Sequence, residues 1–443
     1  MNTPKTAQLK KVLTPIHLWA LGVGMVISGE YFGWNYGWNS AGTLGFLVAT
    51  VVVAVLYITF IFSYTELTTS IPHAGGPFAF AYKAFGPYGG LIAGYATCVE
   101  FVLAPPAIAF ALGSYLHFLL PEIPVLGTAI GCYVIFSLIN FFGIKESTQF
   151  NLLVTVLAVA ELLLFMGIVT PSFQLKNFTH NGLPFGVSGI FESLPFAVWL
   201  FLGIEGLAMV AEEVKNPSKS IPKGYGYALA TLVFLAIGVM VLAGGIGDWT
   251  QLQNLDYPLP EAISQVLGRD SHWSKLFTSI GLFGLVASFH SLITSYSRQL
   301  FALSRSGYLP AKWSELHPRF RTPHWALLVG GLAGLVALLT GTTAQVILIS
   351  ALGALVMYLI SMLSLFKLRQ QPQYVASYKT PFYPLFPAIA LLLSLLCLAS
   401  IVYFNLLLSL IFLAGMVAVV IGFKLVGNVE KTALLRSEIL DED

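Results

Sequence analysis

At 443 residues, 57% hydrophobic and only 9% charged, with a mean hydropathy of +0.81, the chain is excluded as an ordinary soluble domain and reads as a polytopic membrane protein. A hydrocarbon layer of ~30 Å crossed at 1.5 Å per residue requires about 20 residues, so the length holds about twelve helices with short loops. The net charge of +2, with no basic block interleaved with aromatics, gives nucleic-acid binding nothing to rest on.

The start, Met1-Asn2-Thr3-Pro4-Lys5, runs into an apolar segment longer than a signal peptide, so the first helix is expected to remain as a span. Apolar segments lie near residues 14–39, 43–65, 87–118, 124–143, 148–170, 189–211, 224–247, 273–303, 324–341, 344–367, 382–403 and 405–426. They predict an all-α protein of twelve transmembrane helices. With the N-terminus in the cytoplasm, nineteen Lys and Arg fall on the cytoplasmic side, among them Lys83 and Lys145, against Lys176, Arg269 and Lys275 outside. That asymmetry places both termini inside. Residues 66–87 read as a turn with a short amphipathic cytoplasmic piece, and 171–188 and 248–272 as outer loops that serve as lids or plain connectors. The last two spans hold no ionisable residue between Tyr383 and Phe423, a composition that suits scaffold or a homodimer surface. Cys98, Cys132 and Cys397 are scattered in apolar segments and form neither a disulfide framework nor a metal motif.

Two spans are interrupted. The first contains Ile27-Ser28-Gly29-Glu30-Tyr31-Phe32-Gly33-Trp34, and the sixth Trp199-Leu200-Phe201-Leu202-Gly203-Ile204-Glu205-Gly206. A carboxylate at membrane depth costs about 2.5–3.5 kcal/mol on insertion scales, so Glu30 needs a partner or water. Glycine beside it lets the backbone leave the helix where it lines a cavity. Glycine-interrupted segments at corresponding positions of two halves point to an inverted-repeat transporter with its site between broken helices; a glycine packing notch is the alternative. The halves are then 14–170 and 189–367, each a five-helix repeat, followed by two helices over 382–426. Tails occupy 1–13 and 427–443.

Five motifs in order carry a resemblance. They are Ser28-Gly29; Ile71-Pro72 with Gly75-Gly76 and Tyr82; Trp199-x-Phe201-x-Gly203-x-Glu205; Glu212-Glu213-Val214-Lys215-Asn216-Pro217 with Ile221-Pro222; and Arg305-Ser306-Gly307-Tyr308-Leu309-Pro310. On these the chain resembles the amino acid-polyamine-organocation (APC) transporter superfamily. Through Ser28-Gly29-Glu30-Tyr31-Phe32-Gly33-Trp34-Asn35, and Glu100-Phe101 with Pro105-Pro106, it is similar to the ethanolamine permeases within it. The resemblance implies a leucine-transporter-like fold, a 5+5 inverted repeat with broken helices 1 and 6 and two extra C-terminal helices. It also implies a multi-pass protein of the cell membrane, the bacterial inner membrane, that moves a small molecule by alternating access.

Amino-acid carriers of this superfamily usually offer a Gly-Ser-Gly-type run whose bare amides receive the substrate carboxylate. Here Ile27 replaces the first glycine and Glu30 follows the second, an anion that repels a carboxylate and attracts an amine. The expected substrate-binding residues are Ser28, Gly29, Glu30, Tyr31, Trp34, Glu100, Trp199, Phe201 and Gly203, the aromatic rings offering faces to an ammonium. For Trp34 and Trp38, packing is the competing reading. Glu205, Glu161 and His290 are candidates for proton coupling, with a satisfied core histidine the alternative for His290. Ser288, Ser291 and Thr294 lie where sodium-coupled relatives place hydroxyl ligands. Glu66 reads as an interfacial residue.

These readings give a secondary transporter for ethanolamine, choline or a related small amine, coupled to protons rather than sodium and needing no metal or cofactor. A proton-coupled amino acid or polyamine permease is the alternative within transport. A membrane nutrient sensor is the alternative outside it, and its short tails would require a partner. An enzyme lacks support: the chain has no metal-ligand spacing, nucleophile elbow or phosphate-binding motif.

Overall fold

The computed structural model describes residues 11–73, 75–143 and 148–426. Most of the expected N-terminal tail, Lys145 and the tail over 427–443 lie outside the described residues. The described chain is helical apart from its connectors. It comprises α1 (Pro15–Val26), α2 (Ser28–Tyr31), α3 (Trp34–Ser70), α4 (Pro77–Leu119), α5 (Val125–Phe141), α6 (Thr148–Val169), α7 (Leu175–Thr179), α8 (Gly186–Trp199), α9 (Pro217–Gly245), α10 (Pro258–Leu267), α11 (His272–Arg305), α12 (His324–Thr340), α13 (Thr343–Leu368), α14 (Leu385–Phe404) and α15 (Leu406–Val426). A 3-10 helix, Ile204–Glu213, continues α8 beyond a break.

Nine helical segments among the described residues are long and apolar enough to cross a membrane, and Pro15–Val26, Val125–Phe141 and His324–Thr340 are shorter apolar helices. Together they form the twelve spans of a polytopic membrane protein. α3 serves two of them: non-helical geometry at Gly42 divides residues 34–41, which complete the first span, from 43–70, the second. Gly86 divides α4 in the same way, so the amphipathic piece expected near residue 77 is a short helix leading into the third span. Proline opens α1, α4, α9 and α10, where its missing N–H would be unpaired in any case. At α13 a capping box replaces it, Gln345 N–H donating to Thr342 Oγ1 at 3.3 Å and Thr342 N–H to Gln345 Oε1 at 3.0 Å.

α4 runs through the centre, packed against α13, α11 and α5, while α15 lies at the periphery with most of its surface uncovered. The entry to the first span and the exit of the sixth are tied by backbone hydrogen bonds. Val12 and Leu13 N–H donate to Glu213 O at 2.9 and 3.0 Å, and Lys215 N–H to Leu13 O at 2.9 Å.

Glu66 departs from its interfacial reading. Its helix continues to Ser70, and the side chain is fully buried. The Arg369 guanidinium grips it with two hydrogen bonds, Nε to Oε1 at 2.7 Å, and Thr380 adds its N–H and hydroxyl to Oε2, each at 2.7 Å. Arg369 in turn lies 3.8 Å from the centre of the Tyr383 ring. This cluster pins the connector after α13 to the end of α3, far along the chain from the broken helices. Removing one partner of a buried pair leaves a bare charge, which costs about 3–5 kcal/mol. Arg369→Ala is therefore expected to lower the thermal unfolding temperature in detergent markedly, and Arg369→Lys to lower it less, since lysine restores the charge without the fork.

Candidate functional site

Both interruptions are real departures from helix, and they touch. α1 ends at Val26, α2 is a single turn, Phe32 is extended and Gly33 takes φ 96° before α3 begins. In the sixth span α8 ends at Trp199 and Gly203 takes φ 104°, a region that admits glycine readily and other residues poorly. A Cβ on Gly29 would lie 2.7 Å from the Trp199 carbonyl oxygen, so the two backbones meet there with no room for a side chain. The Trp199 indole covers Gly33, its Nε1–H donating to Phe32 O at 3.1 Å. Breaking both helices frees backbone groups; the Trp199 indole of the sixth span satisfies the Phe32 carbonyl of the first, and Gly203 N–H turns to the Glu205 side chain of its own break.

Glu30 sits in the single turn between these contacts and is fully buried. Its N–H donates to Ile27 O at 3.1 Å, and its carbonyl accepts Trp34 Nε1–H at 3.0 Å. Neither carboxyl oxygen has a hydrogen-bond partner among the described residues. Trp34 braces the Glu30 backbone and packs edge-on to Trp38 at 4.8 Å, so its ring is engaged in packing. Ser28 Oγ lies 2.8 Å from Ser288 Oγ, and Ser288 donates to Met25 O at 2.6 Å, joining the end of α1 to α11.

A second acidic group lies beside the sixth-span break. The Glu100 and Glu205 side chains interact with one another across α4 and the 3-10 helix. Gly203 N–H donates to Glu205 Oε1 at 3.1 Å, while Glu205 Oε2 and both Glu100 carboxyl oxygens have no hydrogen-bond partner among the described residues. Tyr358 contacts Glu205 and shares a 2.7 Å hydrogen bond with Tyr57, whose ring packs 5.0 Å from Phe201. Glu100 is fixed from behind by α13: Ser350 Oγ–H donates to its carbonyl at 2.8 Å, and Gly353 leaves room for its backbone.

The remaining candidates divide. Tyr31 OH donates to Glu161 Oε2 at 2.6 Å, and Tyr115 OH to Tyr31 O at 3.3 Å, so Glu161 is wired to the first break through its tyrosine. Tyr31 is thereby committed to Glu161. His290 is placed with α5, its Nδ1 3.1 Å from Asn140 Nδ2 and its ring against Phe136. No cluster of three or more His, Cys, Asp or Glu able to hold a metal ion occurs among the described residues.

Residues the sequence reading passed over close the other end of the first span. Asn35 Nδ2 donates to Leu252 O at 2.7 Å and Leu255 O at 2.8 Å, and Tyr36 OH donates to Asp256 Oδ1 at 2.6 Å. The connector after α9 is thus strapped over the residues that follow Gly33. Tyr57 and Tyr358 were missed too; Tyr358 is signalled by a lone phenol in an otherwise aliphatic run, whereas Tyr57 is masked by Phe60, Phe62 and Tyr64 in the same span. Burial pushes the Asp256 carboxyl above the usual carboxylate range, with the Tyr36 hydrogen bond opposing.

Residues 17–427 match the family model described as amino acid permease. An uncharacterized transporter of Rhizobium meliloti (strain 1021) is 31% identical over 90% of this chain and 88% of its own length. A branched-chain amino acid permease, BcaP, of Bacillus subtilis (strain 168) is 27% identical over 89% and 88%, and a methylthioribose transporter of the same strain 30% over 87% and 87%. The chain belongs to the amino acid permease family, within the APC superfamily.

The strap yields a signed expectation. A carboxyl with a raised pKa in the closed strap and an ordinary one when released holds its proton more tightly closed, so closure is favoured in acid and weakens as pH rises through the raised value. Hydrogen exchange over residues 248–257 is expected to speed up, beyond the chemical rate change, as pH rises from the ordinary carboxylate range through the raised value. Asp256→Asn should flatten that excess, and Asn35→Ala should raise exchange at every pH.

Proposed function

We propose that the chain imports a small organic ammonium, ethanolamine in the first instance, by alternating access at the contact between the two broken helices. The observation that carries this reading is Glu30: a buried carboxyl with both oxygens unpartnered, in the turn where the two breaks meet. An ammonium there supplies hydrogen-bond donors and the opposite charge. At an effective dielectric of 20 and a separation of 4 Å the attraction is about 4 kcal/mol. A substrate carboxylate at the same turn would meet repulsion. The cation neutralises the first break, and the helices bearing both breaks can then rock as a unit against α4, α11 and α13.

Protons enter through the second acidic group. Two carboxyls in contact away from water cannot both be ionised, so the Glu100–Glu205 pair holds a proton when enclosed and exchanges it when one side opens. Linking that exchange to the movement of the sixth-span break would draw the amine in with the proton gradient. In this reading the protein lies in the bacterial inner membrane with both termini in the cytoplasm, the side that receives most of the Lys and Arg.

A second reading is an amino-acid substrate. Relatives whose names specify branched-chain amino acids favour it, and it requires the Ser28-Gly29 amides to receive a carboxylate despite Glu30.

Uptake of radiolabelled ethanolamine into proteoliposomes decides between them. Saturable uptake that valine and alanine do not compete is expected; saturable valine uptake indifferent to ethanolamine would overturn the amine reading. Glu30→Gln should weaken binding of the amine at least about tenfold, ~1.4 kcal/mol, with the thermal unfolding temperature kept or raised. Glu205→Gln should preserve substrate exchange across equal pH and abolish accumulation driven by an imposed pH gradient.

A further inference from the structure

A cavity of about 540 Å³ lies away from the carboxyls. It is an apolar crevice between α3 and α9, lined by Ile58 and Phe62 on one side and Gly226, Ala230, Phe234 and Gly238 on the other. Its size falls within the ~300–1,000 Å³ of ordinary ligand sites, and its lining offers almost nothing but hydrocarbon. The α9 residues recur every four positions and make one stripe on one face of the helix. At 1.5 Å per residue the stripe from 226 to 238 is about 18 Å long, close to the ~15 Å of a single leaflet's hydrocarbon. Small residues make its floor: a Cβ on Gly226 would meet nothing within 4 Å, whereas one on Gly238 would press on Met166 of α6.

The same stripe continues toward the start of α9 as Lys223 and Lys219, both exposed. Lys223 precedes Gly226 by three residues, about 4.5 Å of rise, and α9 is long enough that its first turns stand at headgroup level. A hydrocarbon slot of leaflet length with two ammonium groups at its mouth matches the chemistry of one kind of molecule present at that depth.

We propose that this crevice is a binding site for an anionic phospholipid, one acyl chain lying along residues 226–238 between α3 and α9 and the phosphate held by Lys219 and Lys223. The seat is independent of the amine reading, because none of its residues belongs to the carboxyl clusters. Since α3 and α9 both flank the broken spans, an acyl chain wedged between them sets how closely they approach.

Native mass spectrometry of the full-length protein, taken from nanodiscs of mixed phosphatidylglycerol and phosphatidylcholine into mild detergent, tests it. The wild type is expected to retain phosphatidylglycerol in preference to phosphatidylcholine. Gly226→Leu, whose Cβ has open space and whose branched end enters the slot, should lower retention at least about tenfold. Ala230→Trp plugs the slot from an exposed position and serves if Gly226→Leu fails to fold. Lys219→Gln with Lys223→Gln should erase the preference between headgroups and keep a bound lipid. Equal retention by a folded plugged variant, an unchanged preference in the double lysine variant, or a retained mass matching detergent or free fatty acid would overturn the proposal.

Discussion

The structure depends on one electrostatic constraint: carboxyl groups lie where water is scarce. A polar group in hydrocarbon is tolerated when backbone or side-chain partners surround it, and helix continuity is the usual way to keep the backbone itself satisfied. This chain gives up continuity in two spans and presses the breaks together, the indole of one satisfying a freed carbonyl of the other. Gly29 against the Trp199 carbonyl, and the Trp199 indole on the Phe32 carbonyl, are the joints. The glutamates are then placed by backbone geometry, not by the choice of a long flexible side chain.

Four buried carboxyls in the spans and one at a span end are handled in distinct ways. Glu66 is saturated by a guanidinium and a threonine, and so fixes structure. Glu161 is half satisfied through Tyr31, which leaves one oxygen unpartnered. Glu100 and Glu205 face one another, and Glu30 faces none of these partners. Saturation falls as one approaches the breaks, which is the pattern expected if stability is served at the periphery and chemistry at the centre.

Much of this was legible in the residues. Apolar runs located twelve spans because hydrocarbon thickness imposes a length, and Gly beside Glu in the first and sixth spans marked the breaks because both residues are costly in a plain membrane helix. Glu66 was misread because its position beside a loop suggested water, and nothing local announces that Arg369, 303 residues away, reaches it. The straps from Asn35 and Tyr36 to residues 252–256 were hidden for the same reason: an asparagine's donors find backbone carbonyls, which carry no sequence signature. His290 could be placed on its span but not on a face, and its packing with Asn140 emerged only from the crossing of α5 and α11.

The joint between residues 12–13 and 213–215 uses only peptide groups. Side-chain replacement there leaves the donors and acceptors intact, so the linkage of the two broken spans is insulated from drift in residue identity. The turn that carries Glu30 has no such insulation, since its character rests on single side chains. Side chains at the breaks can on these terms change while the backbone joint between the two spans stays the same, and imino acids, which lack the N–H, are the residues that positions 12, 13 and 215 exclude.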